Sequence, residues 1–390
     1  MLFSLRERFG TVRLAAFAVL ALAGVVGLGL TVRWAARHLG GASAQSTNPL
    51  ILTPALALES LQAKSLYYNH PARHWLLERR PDLLPEDDRK PDSPRGRSFA
   101  QAAQNPKLFR QLDREQRFDA LYLAGDPTQF QTLMGHLLDT ADWKLSYLDH
   151  TSMIFRRNVA QEWEPGRLRE VDAKLGNLSS SDRALFLAQA ASKVLAMRKL
   201  SAAKELLDRA VGLDPRTPQV WSGLAEYHMA LGEWTAAVAK ADRALALDPN
   251  CLQALGVKAQ SQFSSKHFAD ALQTSRRLVL KLPDDPQILF YHAKIAHEAG
   301  QYGEEIEVLH KLIEMAKEEQ RPTEGYRVYL GQAYARDGQG DLAKRELNMV
   351  LNQDPPPPEE LRNVATELMG LIQKNTNKNE RQRGAGPAGL

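Results

Sequence analysis

Cysteine is almost missing from this chain of 390 residues; Cys251 stands alone, which excludes an internal disulfide. Its place near the start of a helical segment reads as a small buried residue rather than a reactive thiol. An excess of one charge is missing too, because 50 basic residues face 46 acidic ones, for a net charge of +4. No Lys/Arg stripe with interleaved aromatics appears, so no nucleic acid is expected as partner. Also missing are H-E-x-x-H, paired C-x-x-C, G-x-S-x-G, G-x-G-x-x-G and a phosphate-loop lysine. His70 and His74 have Pro71 between them and no third ligand nearby. Gly125 to Pro127 reads as a plain strand-to-helix turn, Asp149 as a turn former, and His228 as a packed core residue. No catalytic residues, no metal and no cofactor are expected, and the chain is read as not an enzyme.

What is present is a ruler. Pro215, Pro249 and Pro283 stand 34 residues apart, and the interval recurs in Ala191, Ala225, Ala259 and Ala293, in Leu200, Trp234, Phe268 and Tyr302, and in Ala203, Ala237 and Ala271. Small residues recur where two backbones approach, and bulky ones where a gap is filled. Within one unit Trp221, Leu224, Ala225 and His228 follow helical spacing, as do Trp234, Ala237, Val238, Ala241, Ala244 and Leu245. Each unit therefore holds two amphipathic helices, with Gly232 at the tight turn between them and a proline that cannot continue the second.

The run W-x2-L-A-x2-H from Trp221, followed by Gly232, Trp234, Ala237, Ala244 and Pro249, resembles the tetratricopeptide repeat (TPR) family. The resemblance implies a mainly α fold, a TPR α-solenoid, with five repeats over 180–357 at 184–217, 218–251, 252–285, 286–323 and 324–357. The fourth is four residues longer than the period, so its second helix or the turn after it is extended. Leu361, Val364, Ala365, Leu368, Met369 and Ile372 give residues 359–373 the apolar face of a capping helix, and 374–390 read as a disordered, mildly basic tail.

At the other end, residues 14–32 are 19 uncharged, largely apolar positions, enough to approach the roughly 30 Å of a bilayer core. They read as a transmembrane helix, with residues 1–13 cytoplasmic. Arg6, Arg8 and Arg13 precede the segment while Arg33 and Arg37 follow it, which gives the positive-inside rule a slight lean. A cleaved signal peptide ending at Ala42 to Ala44 and a buried hairpin helix are the alternatives. The expectation is a single-pass membrane protein whose bulk is periplasmic if the cell is bacterial.

Residues 33–97 read as a tether and partly ordered linker, with an exposed, proline-rich loop at 79–97, and residues 98–165 as a small α/β unit. Phe118 to Ala124 is a strand, Pro127 to Leu138 a helix, and Trp143 to Leu148 and Ser152 to Arg157 two further strands. The first two strands are expected to be parallel through a right-handed crossover. Leu66, Tyr67, Tyr68, Trp75, Leu76 and Leu77 need burial and complete the core. The wording F-D-A-L-Y-L-A-G-D-P to W-K-L-S-Y-L-D-H-T-S-M-I-F-R-R faintly resembles the small soluble domain that ends some bacterial membrane glycosyltransferases.

Stacked helix pairs of the implied family line a concave face with their first helices, a geometry suited to extended peptides or partner helices. The candidate partner-binding residues are Gln219, Glu226, Met229, Gln253, Gln260, Phe263, Gln287, Lys294, His297, Gln332 and Arg336. Gln219, Gln253 and Gln287 are equivalent, and could hold peptide backbone groups as a ladder or be solvated first-turn residues. Family members that clamp a C-terminal carboxylate use asparagines absent here. The expected function is a membrane-anchored scaffold or adaptor that binds proteins or peptides. The alternative is an α/β module that binds a nucleotide, sugar or glycan and is coupled to partner recruitment in envelope biogenesis.

Overall fold

The computed structural model describes residues 61, 63–89, 93–125, 130–140, 142–157, 163–165 and 178–384. Among them no helix is long and apolar enough to cross a membrane, and the candidate span 14–32 lies outside them, as do residues 1–13. The described residues fall into two compact units, divided between Ser261 and Gln262.

The first unit begins with a four-stranded sheet: β1 (Leu66–Tyr68), β2 (Ala120–Ala124), β3 (Lys144–Leu148) and β4 (Ser152–Arg156). The order is β1-β2-β4-β3, with β1 parallel to β2, and β4 antiparallel to both β2 and β3. The parallel direction expected of β2 and β3 is present, without direct pairing. β2 and β3 do run the same way, but β4 lies between them. β2 is buried at all five positions, as suits a strand inside the sheet, whereas β3, at the edge, buries only Leu145 and Leu148.

The edge strand β1 and its helix come from inside the segment read as linker. Helix α1 (His70–Arg79) starts at Asn69, whose Oδ1 accepts from Ala72 N and Ala124 N while its Nδ2 donates to the Ala124 carbonyl at 2.7 Å. One asparagine thus caps a helix and fastens it to β2. Nor is 79–97 a plain loop. Pro81–Leu83 and Glu86–Arg89 form single 3-10 turns, and α2 (Pro94–Ala102) follows. Asp88 is buried there because the Ser93 hydroxyl bonds its carboxylate and the Arg73 guanidinium donates to its carbonyl at 2.6 Å. Helices α3 (Pro106–Gln116) and α4 (Gln131–Asp139) complete this part. Tyr67 stacks on Phe99 at 4.7 Å and meets Phe109 and Phe118 edge-on, with its hydroxyl donating to the Phe99 carbonyl.

Repeat helices follow in the same unit: α5 (Ser180–Ala196), α6 (Leu200–Leu213), α7 (Pro218–Ala230), α8 (Trp234–Leu247) and the start of α9 (Leu252–Ser264). Gly223 lets α7 approach α6, since a Cβ there would lie 2.7 Å from Leu207 Cδ2. One buried core runs without interruption from Leu61 through the sheet to Phe186, Leu187, Val194 and Leu224. The sheet therefore covers the apolar flank of the first repeat, the task of a cap.

The second unit holds the end of α9, α10 (Phe268–Lys281), α11 (Pro286–Glu298), α12 (Tyr302–Glu318), α13 (Glu324–Arg336), α14 (Gly340–Leu351) and α15 (Glu359–Gly384). Its core joins Leu309, Leu312, Ile313, Leu330 and Leu347 to Val364, Ala365, Leu368 and Ile372 of α15. The helix α12 has 17 residues where α6, α8 and α10 have 14. Of the tail expected over 374–390, residues 374–384 continue α15, since once its first half is docked each further residue adds a backbone hydrogen bond at little nucleation cost, while 385–390 lie outside the described residues.

The turn inside each pair is the most regular feature. Arg198, Gly232, Lys266, Gly300 and Gly338 all have left-handed backbones, with φ of 56°, 76°, 64°, 72° and 83°. The next residue's N–H then bonds five residues back: Lys199 to Val194, Glu233 to His228, His267 to Gln262, Gln301 to Ala296 and Gln339 to Tyr334. This is the Schellman helix end, and two of its five left-handed positions carry long side chains instead of glycine.

Candidate functional site

In the first unit the first-helix residues form a chain of polar contacts. Glu226 on α7 is buried, and its carboxylate accepts from Ser192 Oγ on α5 at 2.8 Å and from Gln253 Nε2 on α9 at 2.7 Å. Gln253 Oε1 in turn accepts from Ser222 Oγ at 2.8 Å. The sequence reading placed Gln253 in a ladder offered to a ligand; the fold engages it with Glu226 and Ser222. Ser192 escaped notice although it stands 34 residues before Glu226. Gln219 is half-buried and Met229 buried, while the half-buried Gln260 has an Oε1 with no hydrogen-bond partner among the described residues. His228 is not a core residue: its Nδ1 lies 2.6 Å from Glu233 Oε2 at the turn.

The β3–β4 turn sits against the first repeat. Asp149 is fully buried because its carboxylate accepts from the Tyr147 hydroxyl, from Thr151 N and Oγ1, and from Ser152 N. Burial nevertheless raises its pKa, with those hydrogen bonds opposing the rise. The Lys193 ammonium donates to the His150 carbonyl at 2.6 Å, and the His150 ring lies 5.2 Å from Phe186. At this end of the sheet Asn69, Tyr122, Asp149 and Ser152 are all engaged with protein partners. Asp126 and Pro127 lie outside the described residues.

In the second unit Gln287 is exposed at the start of α11, and its backbone N–H is capped by Asp285. Lys294 is half-buried. Burial holds its ammonium below the usual lysine range, with Glu298 opposing the shift. His297 places Nδ1 2.9 Å from Glu305 Oε2, and Glu305 is 1% exposed. Burial raises the Glu305 pKa, opposed first by His297 and then by Arg336. Phe263 meets Tyr291 edge-on at 6.0 Å, and Phe290 meets Tyr326 and Tyr329 at 5.7 and 5.1 Å. Lys294, His297 and Arg336 thus share one neighbourhood with Glu298, Glu305 and Tyr329, none of which the sequence reading included. The half-buried Gln332 lies on α13 at the place Lys294 takes on α11. Tyr291 and Tyr329, 38 residues apart as the lengthened fourth repeat requires, carried a signal in that interval.

A third cluster joins Ser275, His292 and Glu304, one from each of α10, α11 and α12. His292 Nδ1 lies 2.8 Å from Ser275 Oγ, and its Nε2 lies 3.0 Å from Glu304 Oε1. The carboxylate also takes two bonds from Arg276. The pattern matches an acyl-transfer relay on paper. Ser275 and His292 are, however, 1% and 2% exposed, so no substrate carbonyl can reach the hydroxyl. The cluster ties three helices together. Among the described residues no group of three His, Cys, Asp or Glu side chains could hold a metal ion.

Residues 189–250 match the family model for the tetratricopeptide repeat. A comparison with curated proteins yields no match. Similar solved structures include MamA from Desulfovibrio magneticus RS-1, 20% identical over 45% of this chain and 96% of that one, with a TM-score of 0.38. They also include the TPR protein TTC0263 of Thermus thermophilus, 18% identical over 47% and 97%, with a TM-score of 0.33. YrrB, described as a TPR protein with an unusual peptide-binding site, is 16% identical over 46% and 90%, with a TM-score of 0.40.

Proposed function

We propose that this chain is a scaffold that binds other proteins or peptides through the first helices of its repeats, held at a membrane by residues 14–32, with its bulk on the extracytoplasmic side. The observation that carries the reading is that one backbone geometry recurs while the chemistry at one position of it changes. Ser192, Glu226, Gln260, Lys294 and Gln332 occupy equivalent places on successive first helices; the first two are bonded to each other, and the half-buried Gln260, Lys294 and Gln332 carry the variation. A constant frame with a varied set of donors and acceptors is how a repeat protein distinguishes partners. The anchor rests on the 19 uncharged positions of 14–32, and the side of the membrane on three flanking arginines against two.

The test uses the full chain in membranes. Cross-linking and mass spectrometry compare the wild type with a Lys294→Glu, Gln332→Glu variant whose circular dichroism is unchanged. Partners recovered with the wild type and lost with the variant support the reading, and an identical set from both would remove the first helices from it. Protease added to sealed cells should leave the repeats intact until the outer barrier is opened; digestion only after lysis of the inner membrane would reverse the orientation.

A further inference from the structure

Helix α3 carries Lys107, Arg110 and Arg114 within about 60° of its circumference and along about 10 Å of its length, with Arg117 at its end. All four are exposed, while Phe109, on the other side of the helix, is buried in the core of the sheet. None of the four head groups has an ion pair or a hydrogen bond among the described residues, whereas Arg73, Arg80, Arg95 and Arg157 in the same part of the chain are all engaged. The carboxylates of α3 are already answered, Asp113 by Arg157 and Glu115 by Gln111. The helix gains nothing from this arrangement at its start. Lys107 lies in the first turn, where the macrodipole disfavours a cation, and that turn holds no acidic residue.

Charge of one sign without aromatics limits the ligand. Phe109 is the one aromatic of α3 and is buried, so the bases of a nucleic acid would find nothing there to stack on. An anionic lipid surface needs only cations spread over one side of a helix. The chain order puts such a surface within reach. Residues 33–60 separate the candidate span 14–32 from Leu61, and they extend to at most about 100 Å. We propose, resting on the membrane-anchored reading above, that the exposed basic face of α3 docks on anionic phospholipid headgroups of the membrane that holds the anchor. The Arg110 and Arg114 guanidinium groups take phosphate oxygens in pairs, and Lys107 and Arg117 extend the contact as further positive charges. Docking of this face fixes how the sheet meets the bilayer, which a long tether by itself does not.

The full chain is labelled with a fluorophore at Gln111→Cys, an exposed position beside the basic face, the native Cys251 being buried. It is reconstituted in vesicles that carry a headgroup-linked quencher, made of phosphatidylcholine alone or with phosphatidylglycerol added. Quenching should be at least about 2-fold stronger in the anionic vesicles, and high salt should remove the difference. The further variant Lys107→Gln, Arg110→Gln, Arg114→Gln should be quenched equally weakly in both, with its circular dichroism unchanged because exposed positions tolerate such changes. Equal quenching of the unsubstituted face in the two vesicles overturns the inference, as does a variant that responds as the unsubstituted face does. A response of the label to soluble poly-glutamate, with none to anionic vesicles, overturns it in favour of an acidic protein. The anchor is read separately: failure of the chain to float with phosphatidylcholine vesicles removes residues 14–32 from the reading above, while the response to added anionic vesicles still decides the inference.

Discussion

The Lys193 ammonium and the His150 carbonyl, 43 residues apart in sequence, meet at 2.6 Å and join the sheet to the first repeat helix. The carbonyl belongs to a turn already organised by the buried Asp149, so the lysine closes a structure fixed on both sides. Lys193→Met keeps the aliphatic stem and removes the donor. It should lower stability by about 2 kcal/mol, the usual worth of a hydrogen bond to a charged group, read from the urea midpoint. A chain begun at residue 178 would bare Phe186, Leu187 and Val194 and should aggregate, so tests of partner binding need the sheet present.

Lys266 holds a left-handed backbone that glycine holds at Gly232, Gly300 and Gly338. Lys266→Gly should therefore stabilise the second unit by about 1 kcal/mol, and Gly300→Ala should lose a similar amount. Thermal unfolding of both variants checks the pair, and a shift of the same sign in both would refute the strain argument.

Gln253 and Gln287 occupy the same repeat position, yet one contacts Glu226 and Ser222 and the other is exposed. Gln253→Ala leaves the buried Glu226 carboxylate one donor fewer and should cost about 1 to 2 kcal/mol. Gln287→Ala should stay within about 0.5 kcal/mol of wild type. Denaturant titration separates the two.

His292 titrates below the ordinary histidine range, chiefly through burial, with Glu304 opposing. The unfolded chain then binds a proton that the native state refuses. The stability this group contributes is complete above about pH 6.5 and is lost as pH falls through the folded value. Glu304, held below the usual carboxylate range by the Arg276 hydrogen bonds, adds a loss of the same sign at lower pH. His292→Gln should flatten the fall in melting temperature between pH 7 and pH 5, and an unchanged slope would place the titration elsewhere.

The helix pairs were legible because their spacing repeats and because alanine and proline mark the places where backbones cross or must stop. Trp143 to Leu148 and Ser152 to Arg157 were legible as strands because two short runs rich in apolar residues are joined by Asp149, His150 and Thr151. The strand Leu66–Tyr68 was not, since three consecutive buried apolar residues carry no period. Its residues were recognised as needing burial without being seen as a sheet edge. Proline and charge density made 79–97 read as a loop, because nothing local announces that Arg73 and Ser93 will satisfy Asp88. The left-handed turns at Arg198 and Lys266 were hidden by side chains that disfavour them. At the candidate surface, position along the repeat could be projected, but which polar groups face each other could not. Gln253 shows the difference: its place was correct and its partners belonged to the fold.

The extra length in the fourth repeat constrains how such a chain can change. Left-handed turn residues are spaced 34, 34, 34 and 38 apart, and three of the surplus four residues lengthen α12 from 14 to 17 while the fourth lies in the turn after it. Three added helical residues make about 300°, within about 60° of a whole turn, so the insertion advances the chain along α12 while changing the phase of its end only modestly. Two residues at the same point would rotate the downstream face by about 200°, turning Leu330 and Leu347 away from the core they share with α15. Length in this array is therefore quantised: segments can be gained or lost there only in near-whole turns.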